Sequence, residues 1–139
     1  MNPKLLLIGG HWRATDNVKE LRAPYSGETL ASVSYASRTD VEEAIAVAAS
    51  ATQELRVLAR YEIADALRGM ADYINERREE FARSISLESG KPIRAARGET
   101  DRTISTFAFA AEEARRFIGE AIPMPYGGVK LSGASRARA

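Results

Sequence analysis

The chain has 139 residues, a formal net charge of +1 and no cysteine. This length suits one ordinary domain, and 45% hydrophobic with 28% charged residues is typical of a folded protein. The near-neutral charge argues against a nucleic-acid partner, and the lack of cysteine excludes disulfides, thiolate metal sites and a cysteine nucleophile from this chain.

The N-terminal apolar run is short. It covers Leu5 to Ile8, whereas a signal-peptide core needs about 7 residues or more and a membrane span about 18. The sequence therefore predicts a cytoplasmic protein without a membrane partner. His11 is the single histidine and stands in GGHW, a predicted strand end or turn, where we expect a structural role.

Residues 4–35 are predicted to form β structure. The apolar run ends at Gly9-Gly10, and Pro24 to Gly27 forms a turn. The residues from Thr29 to Tyr35 alternate with a period of two, which suits a half-buried strand. We expect two or three short strands in a meander.

Helical patterns follow from Ser37 onward. Thr39-Asp40-Val41-Glu42 reads as a capping box that opens the first helix. The second helix is predicted over about 59–75, the third ends at Ser89-Gly90-Lys91-Pro92, and the last covers roughly 93–118. The apolar residues of the first helix suggest close packing against another element: Val41, Ala44, Ile45, Ala48 and Ala49. The fold class is α+β, mainly α, with a β meander before about four amphipathic helices.

Three pairs of adjacent carboxylates lie on predicted helices: Glu42-Glu43, Glu79-Glu80 and Glu112-Glu113. Adjacent side chains on a helix diverge by about 100°, so these pairs are expected to be solvated rather than to share a reacting atom. Glu99 and Asp101 lie near Arg97 and Arg102, which suggests ion pairs. The segment MPYGGVKLSG, from Met124 to Gly133, lacks a preceding strand and a following helix, so a phosphate loop is not expected there.

The order of these segments resembles the N-terminal part of the aldehyde dehydrogenase superfamily. The matching stretches run from about Leu5 to Pro123 and read GGHW, APYSGETLASVSYAS, TDVEEAIAVAASA, ADYINERREEFARSISLESGKP and ETDRTISTFAFAAEEARRFIGEAIP. The resemblance implies a fragment of the family's cofactor domain, at residues 1–123.

Residues 124–139 form a Gly/Arg-rich tail, and MPYGGVKLSG in it resembles a motif from the far C-terminal end of the same family. The residues after Gly133 depart from the family's continuation. We interpret the juxtaposition near Pro123 as an internal deletion, with a chance glycine-rich tail as the alternative.

In this family, a cysteine thiolate attacks the aldehyde, an asparagine and a backbone amide hold the oxyanion, hydride passes to NAD or NADP, and a glutamate activates water. None of these residues, nor the family's dinucleotide motif, has a counterpart in this chain. The sequence therefore predicts no catalytic, cofactor-binding or metal residue and no cofactor for this chain alone, and hence a truncated protein inactive by itself.

The resemblance also implies that the helices lack the parallel sheet on which they pack in the full family. The uncovered apolar faces predict a homo-oligomer, namely a dimer with a helical interface. Two functions stay open: a part that assembles with a separately encoded catalytic part, and a non-catalytic helical oligomerisation or interaction module.

Overall fold

The computed structural model describes residues 3–116, 120–123 and 129–132. Four short strands precede four helices in this part of the chain, which confirms the predicted α+β, mainly α class. The strands are β1 (Leu6–Ile8), β2 (His11–Arg13), β3 (Val18–Arg22) and β4 (Thr29–Ser34), and the helices are α1 (Arg38–Leu55), α2 (Arg60–Glu76), α3 (Arg78–Ser89) and α4 (Ile93–Arg116).

The four strands form two antiparallel hairpins. Strand β1 pairs with β2, so that Leu7 lies opposite Trp12, and β3 pairs with β4, so that Glu20 lies opposite Ser32. A parallel bridge between Lys4 and Val33 links the chain before β1 to β4. The sequence predicted two or three strands in one meander, whereas β2 and β3 do not pair with each other.

The capping box of α1 begins two residues earlier than predicted. Ser37 is the N-cap, and its hydroxyl accepts a hydrogen bond from the Asp40 amide at 3.2 Å. The Asp40 carboxylate in turn accepts from the Ser37 amide at 2.8 Å. The Thr39 hydroxyl lies 2.9 Å from the Ser37 hydroxyl instead of capping the helix. The serine prevails because its extended backbone, with φ −78° and ψ 171°, is the conformation that an N-cap requires.

Helices α2, α3 and α4 pack together, and ion pairs across them reveal their directions. Arg115 and Asp65 meet at 2.5 Å, and Arg68 and Glu112 at 3.4 Å, so α4 runs antiparallel to α2. The α3–α4 connection turns at Gly90, whose φ of +71° is left-handed, as the sequence predicted. Phe117 and Gly119, the predicted end of the last helix, lie outside the described residues.

The buried apolar core is made mostly of alanine. Six of the eight buried hydrophobic residues in the described part of the chain are alanines, and the other two are Ile8 and Ile74. The six are Ala23, Ala64, Ala71, Ala82, Ala96 and Ala111. Alanine lets helix backbones approach closely, which explains how these helices pack with little large-side-chain burial. Other large apolar residues are half-buried, such as Leu67 and Phe107, or exposed, such as Ile45 and Phe109.

Two further strands lie in the segment after α4. Strand β5 (Glu120–Pro123) pairs antiparallel with β6 (Val129–Ser132), and Ile122 lies opposite Lys130. The sequence predicted no element here, because Pro, Gly and Lys obscured the short alternation. The rest of MPYGGVKLSG, namely 124–128 and 133, and the residues after it lie outside the described residues.

Gly90 offers a direct test of the α3–α4 turn. We expect Gly90→Ala to destabilise the fold by about 1–2 kcal/mol, because a side chain strains the left-handed backbone. Gly69→Ala is the matched control: Gly69 lies inside α2 with open space around it, so alanine should stabilise by about 0.5–1 kcal/mol. Urea unfolding of both variants measures the difference, and equal effects would contradict this account of the turn.

Candidate functional site

An apolar groove separates β1 from α1. It has a volume of about 340 Å³, and residues from both elements and from the connection before α1 line it: Leu6, Leu7, Ile8, Ala36, Asp40, Val41, Ala44, Ile45 and Ala48. The sequence predicted that the apolar residues of α1 pack closely against another element. The structure brings them beside β1, but no residue of α1 is fully buried.

One arginine attaches the charged side of α1 to the first hairpin. Arg13 on β2 donates from Nη1 to Glu43 Oε2 at 2.7 Å and from Nη2 to Glu43 Oε1 at 2.8 Å. The same Nη1 lies 3.3 Å from Asp40 Oδ1. The forked guanidinium matches the carboxylate geometry, so this pair fixes the orientation of α1 against β2.

The carboxylates of this cluster bind protons less readily than free ones. Hydrogen bonds from the Ser37 hydroxyl and amide, followed by Arg13, lower the pKa of Asp40. The hydrogen bond from Arg13 lowers the pKa of Glu43. Because these folded-state pKa values are depressed, the stability that the cluster supplies is present at neutral pH and is lost as the pH falls through them.

We expect Arg13→Gln to make the fold less sensitive to acid. The variant loses the interaction that lowers the pKa of Glu43, so its stability should fall less between pH 7 and pH 3 than that of the parent chain. Arg38→Gln is the control. Arg38 lies on α1, the helix that carries Glu43, and in the described residues it pairs with Glu42 alone. Thermal melts across this pH range measure the difference, and parallel curves for parent and R13Q would contradict the assignment.

The remaining ionic side chains mainly join helices. Arg78 pairs with Asp101 at 2.5 and 2.7 Å, Arg97 with Glu79 at 2.9 Å, and Lys91 with Glu99 at 2.5 Å. Glu99, Asp101 and Arg97 thus form ion pairs as expected, but their partners lie on α3 or on the α3–α4 connection and not among the neighbouring residues of α4. The adjacent carboxylates also separate as predicted: Glu79 faces Arg97, and Glu112 faces Arg68.

The single histidine of the chain lies at the surface. His11 lies exposed on β2 opposite Ile8. No group of three or more histidine, cysteine, aspartate or glutamate side chains in the described part of the chain is placed to hold a metal ion. Among the described helices, none combines the length and apolar character needed to cross a membrane.

The helix N-termini do not fit a dinucleotide pyrophosphate. Such a site uses free amides at the start of a helix and a favourable helix dipole. The first turns of α1, α2 and α3 carry acidic residues instead, and Glu62 accepts a hydrogen bond from the Ala59 amide at 2.7 Å. The acids of α1 and α2 each accept a hydrogen bond from the cap amide, and the negative charge at the start of all three helices would repel a phosphate. These three helix ends therefore do not fit the pyrophosphate of NAD or NADP.

A second apolar surface lies between the start of α2 and the end of α4. Its groove has a volume of about 330 Å³ and is lined by Arg60, Ile63, Ala110, Glu113 and Ala114. Large apolar side chains are exposed nearby in sequence on the α1–α2 connection, α2 and α4, among them Val57, Tyr61 and Phe109. The two grooves and these side chains are exposed apolar features of the described surface.

Comparison with known proteins places the chain in a family. The model of the aldehyde dehydrogenase family matches residues 12–136, which is most of the chain. This protein therefore belongs to the aldehyde dehydrogenase family, as its sequence motifs indicated.

Individual relatives agree with the family match. A 3-sulfolactaldehyde dehydrogenase of Priestia aryabhattai is 36% identical over 119 residues, covering 86% of this chain and 24% of the relative. The mitochondrial succinate-semialdehyde dehydrogenase of rice is 39% identical over 119 residues, covering 84% and 23%. The chain thus spans about a quarter of the length of these relatives.

Solved structures show the same fold. Aldehyde dehydrogenase 21 from Physcomitrella patens, crystallised with the reaction product succinate, matches with a TM-score of 0.83 and 34% identity over 91% of this chain and 27% of that one. A betaine aldehyde dehydrogenase from Staphylococcus aureus, crystallised with NAD+, matches with a TM-score of 0.82 and 28% identity, over 88% and 25%.

Proposed function

We propose that this chain is a non-catalytic, aldehyde dehydrogenase-like module. It adopts part of the fold of the family's cofactor domain and associates through its apolar helix faces. The distribution of apolar residues carries the proposal. Alanine fills the described core, whereas large side chains such as Ile45, Leu55 and Phe109 are exposed. A self-sufficient domain has the opposite arrangement, because burying large apolar residues supplies most of its stability. These faces are therefore built for covering by another polypeptide surface.

The composition supports the absence of catalysis by this chain alone. The family reaction begins with a cysteine thiolate, and the chain contains no cysteine. Covalent catalysis needs this nucleophile because it divides a difficult oxidation into two easier steps. Most carboxylates on the helix surfaces form ion pairs, which gives these carboxylates structural roles. We accordingly assign no catalytic, cofactor or metal residue.

Turnover by the purified chain tests the catalytic part of the proposal. The panel contains 3-sulfolactaldehyde, succinate semialdehyde and betaine aldehyde, which the names of the relatives suggest, each with NAD and with NADP. We expect no aldehyde-dependent formation of NADH or NADPH. A full-length betaine aldehyde dehydrogenase serves as the positive control, and any turnover that follows the purified chain through two different columns would refute the proposal.

The second candidate function is assembly with a separately encoded catalytic part. The chain spans about a quarter of the relatives' length, which favours this function. A partner that supplies the rest of the family fold would cover the same apolar faces. Affinity purification of the chain from its own cells distinguishes the two. A partner that carries the catalytic cysteine and matches the rest of the family would support this alternative and replace self-association.

The history of the gene and the cellular location belong to the same proposal. We propose a cytoplasmic location. We also propose an internal deletion near Pro123, because a motif similar to the family's C-terminal end directly follows the N-terminal segments. Sequencing the locus from several isolates tests the deletion. The deletion would be supported if other isolates carry a longer gene with additional sequence inserted at the position that encodes Pro123 here. The same short gene in all isolates would argue against it.

A further inference from the structure

Helix α1 carries an uncovered apolar seam along its whole length. The members of the seam follow one another at alternating intervals of four and three residues: Val41, Ile45, Ala48, Thr52 and Leu55. This is the spacing of the contact line in a coiled coil. The exposed fractions of its large members are 49% for Val41, 64% for Ile45 and 58% for Leu55. The seam therefore has the spacing of a helix-pairing surface, and its large side chains are about half exposed or more.

We propose that the seam pairs α1 with α1 of a second copy in antiparallel orientation, about a two-fold axis near Ser50. This inference rests on the proposed self-association and names its surface. In this register Ile45 of one copy packs against Leu55 of the second copy, and Ala48 packs against Thr52. Ile45 and Leu55 thus meet each other, Val41 flanks this contact, and the small residues lie together at the centre, where the helices come closest.

The charges along α1 select the antiparallel orientation. Its N-terminal half carries the three acidic residues Asp40, Glu42 and Glu43 and one basic residue, Arg38, whereas the C-terminal half has no charge until Glu54. A parallel pair would set the two acidic halves side by side, which is unfavourable. Glu42 directly follows Val41 of the seam, and Arg56 directly follows Leu55. In the antiparallel pair these two flanking positions lie side by side, so Glu42 lies beside Arg56 of the second copy. Opposed helix dipoles favour the same orientation.

The surroundings of Glu42 leave it available for this contact. Glu42 accepts a hydrogen bond from Arg38 at 2.9 Å, with side chains 59% and 92% exposed respectively. A carboxylate can accept several hydrogen bonds, so the arginine of the second copy adds to this pair without displacing it.

The groove between β1 and α1 completes the interface. The groove borders the seam at Val41 and Ile45, and Leu7 forms part of its opposite wall. Its volume of about 340 Å³ leaves room for the Leu55 side chain of the second copy. About a two-fold axis near Ser50 the two helices overlap over residues 45–55, which is about 16 Å of helix. Together with the groove this gives a small interface, below about 1,200 Å². We expect a dimer that dissociates in the micromolar range.

Sedimentation equilibrium of seam variants tests the surface. Ile45→Glu should raise the dimer dissociation constant at least about tenfold, because it places a charge in the apolar contact. Leu87→Glu is the matched control, since Leu87 is apolar and 53% exposed but lies on α3, outside the seam and both grooves, and it should leave the constant unchanged. Circular dichroism confirms that both exposed substitutions retain the fold.

A charge exchange tests the orientation. Glu42→Arg and Arg56→Glu should each weaken the dimer about threefold or more, and the double variant should restore the parent affinity. A double variant weaker than both single ones would overturn the antiparallel register.

One further variant separates this inference from the proposed function. Ile63→Glu alters the groove between α2 and α4 and should leave the dimer intact. If Ile63→Glu abolishes the dimer while Ile45→Glu does not, the α1 surface is wrong although self-association stands. A monomeric parent chain would overturn both.

Discussion

Replacing Ala96 with leucine should destabilise the fold by about 1–3 kcal/mol. Ala96 on α4 is fully buried, as is Ala82 on α3, where the two helices are drawn together by the pairs of Arg78 with Asp101 and of Arg97 with Glu79. A leucine there has no space, so it must separate the helices or adopt a strained rotamer. The expected result is a lower urea midpoint with an unchanged slope.

The neighbouring alanine supplies the control for this substitution. Ala95 lies on the same helix and is exposed, and leucine has nearly the helix propensity of alanine, so Ala95→Leu should change stability by no more than about 0.5 kcal/mol. Equal losses for the two leucine variants would mean that the alanine core is not what holds α3 against α4.

Ile74 should show the second large effect. It is one of the two large apolar residues that are buried in the described core, and it lies on the face of α2 that also buries Ala64 and Ala71. We expect Ile74→Ala to cost about 2–4 kcal/mol, because it removes buried methyl groups and leaves a cavity that rigid helices cannot close. Urea unfolding measures the cost.

Met70 on the same helix provides the comparison. Met70 lies one helical turn before Ile74, and its side chain is about half exposed. Met70→Ala should therefore cost less than about 1 kcal/mol. If the methionine variant lost as much stability as the isoleucine variant, Met70 would be covered in solution, and the surface of α2 would take part in the association.

The sequence predicted the helices well because their signals are local. Gly90 and Pro92 ended α3 and opened α4 as expected, since the left-handed turn and the missing amide depend only on neighbouring residues. The cap of α1 was placed at Thr39 rather than Ser37 because two adjacent hydroxyl residues can both satisfy the pattern, and only the backbone conformation decides between them. Strand β6 was missed because four residues are too few for periodicity to stand out.

The association surface was only partly predictable. Helical spacing identified Val41 and Ile45 as apolar stripe residues, but whether the rest of the chain covers them depends on packing over long sequence distances. The pairing of Arg13 with Glu43 crosses 30 residues and leaves no local signal in a chain rich in arginine. Ion pairs of this kind result from the fold and cannot be used to predict it from the sequence.

The solution mass of the parent chain tests the central claim most directly. The claim is that a part of the aldehyde dehydrogenase fold with outward-facing large apolar residues covers them by self-association. Sedimentation equilibrium of the purified chain at micromolar concentrations should give a mass that rises toward twice the 15.2 kDa of one chain. A folded chain that stays at the monomer mass throughout this range would contradict the claim.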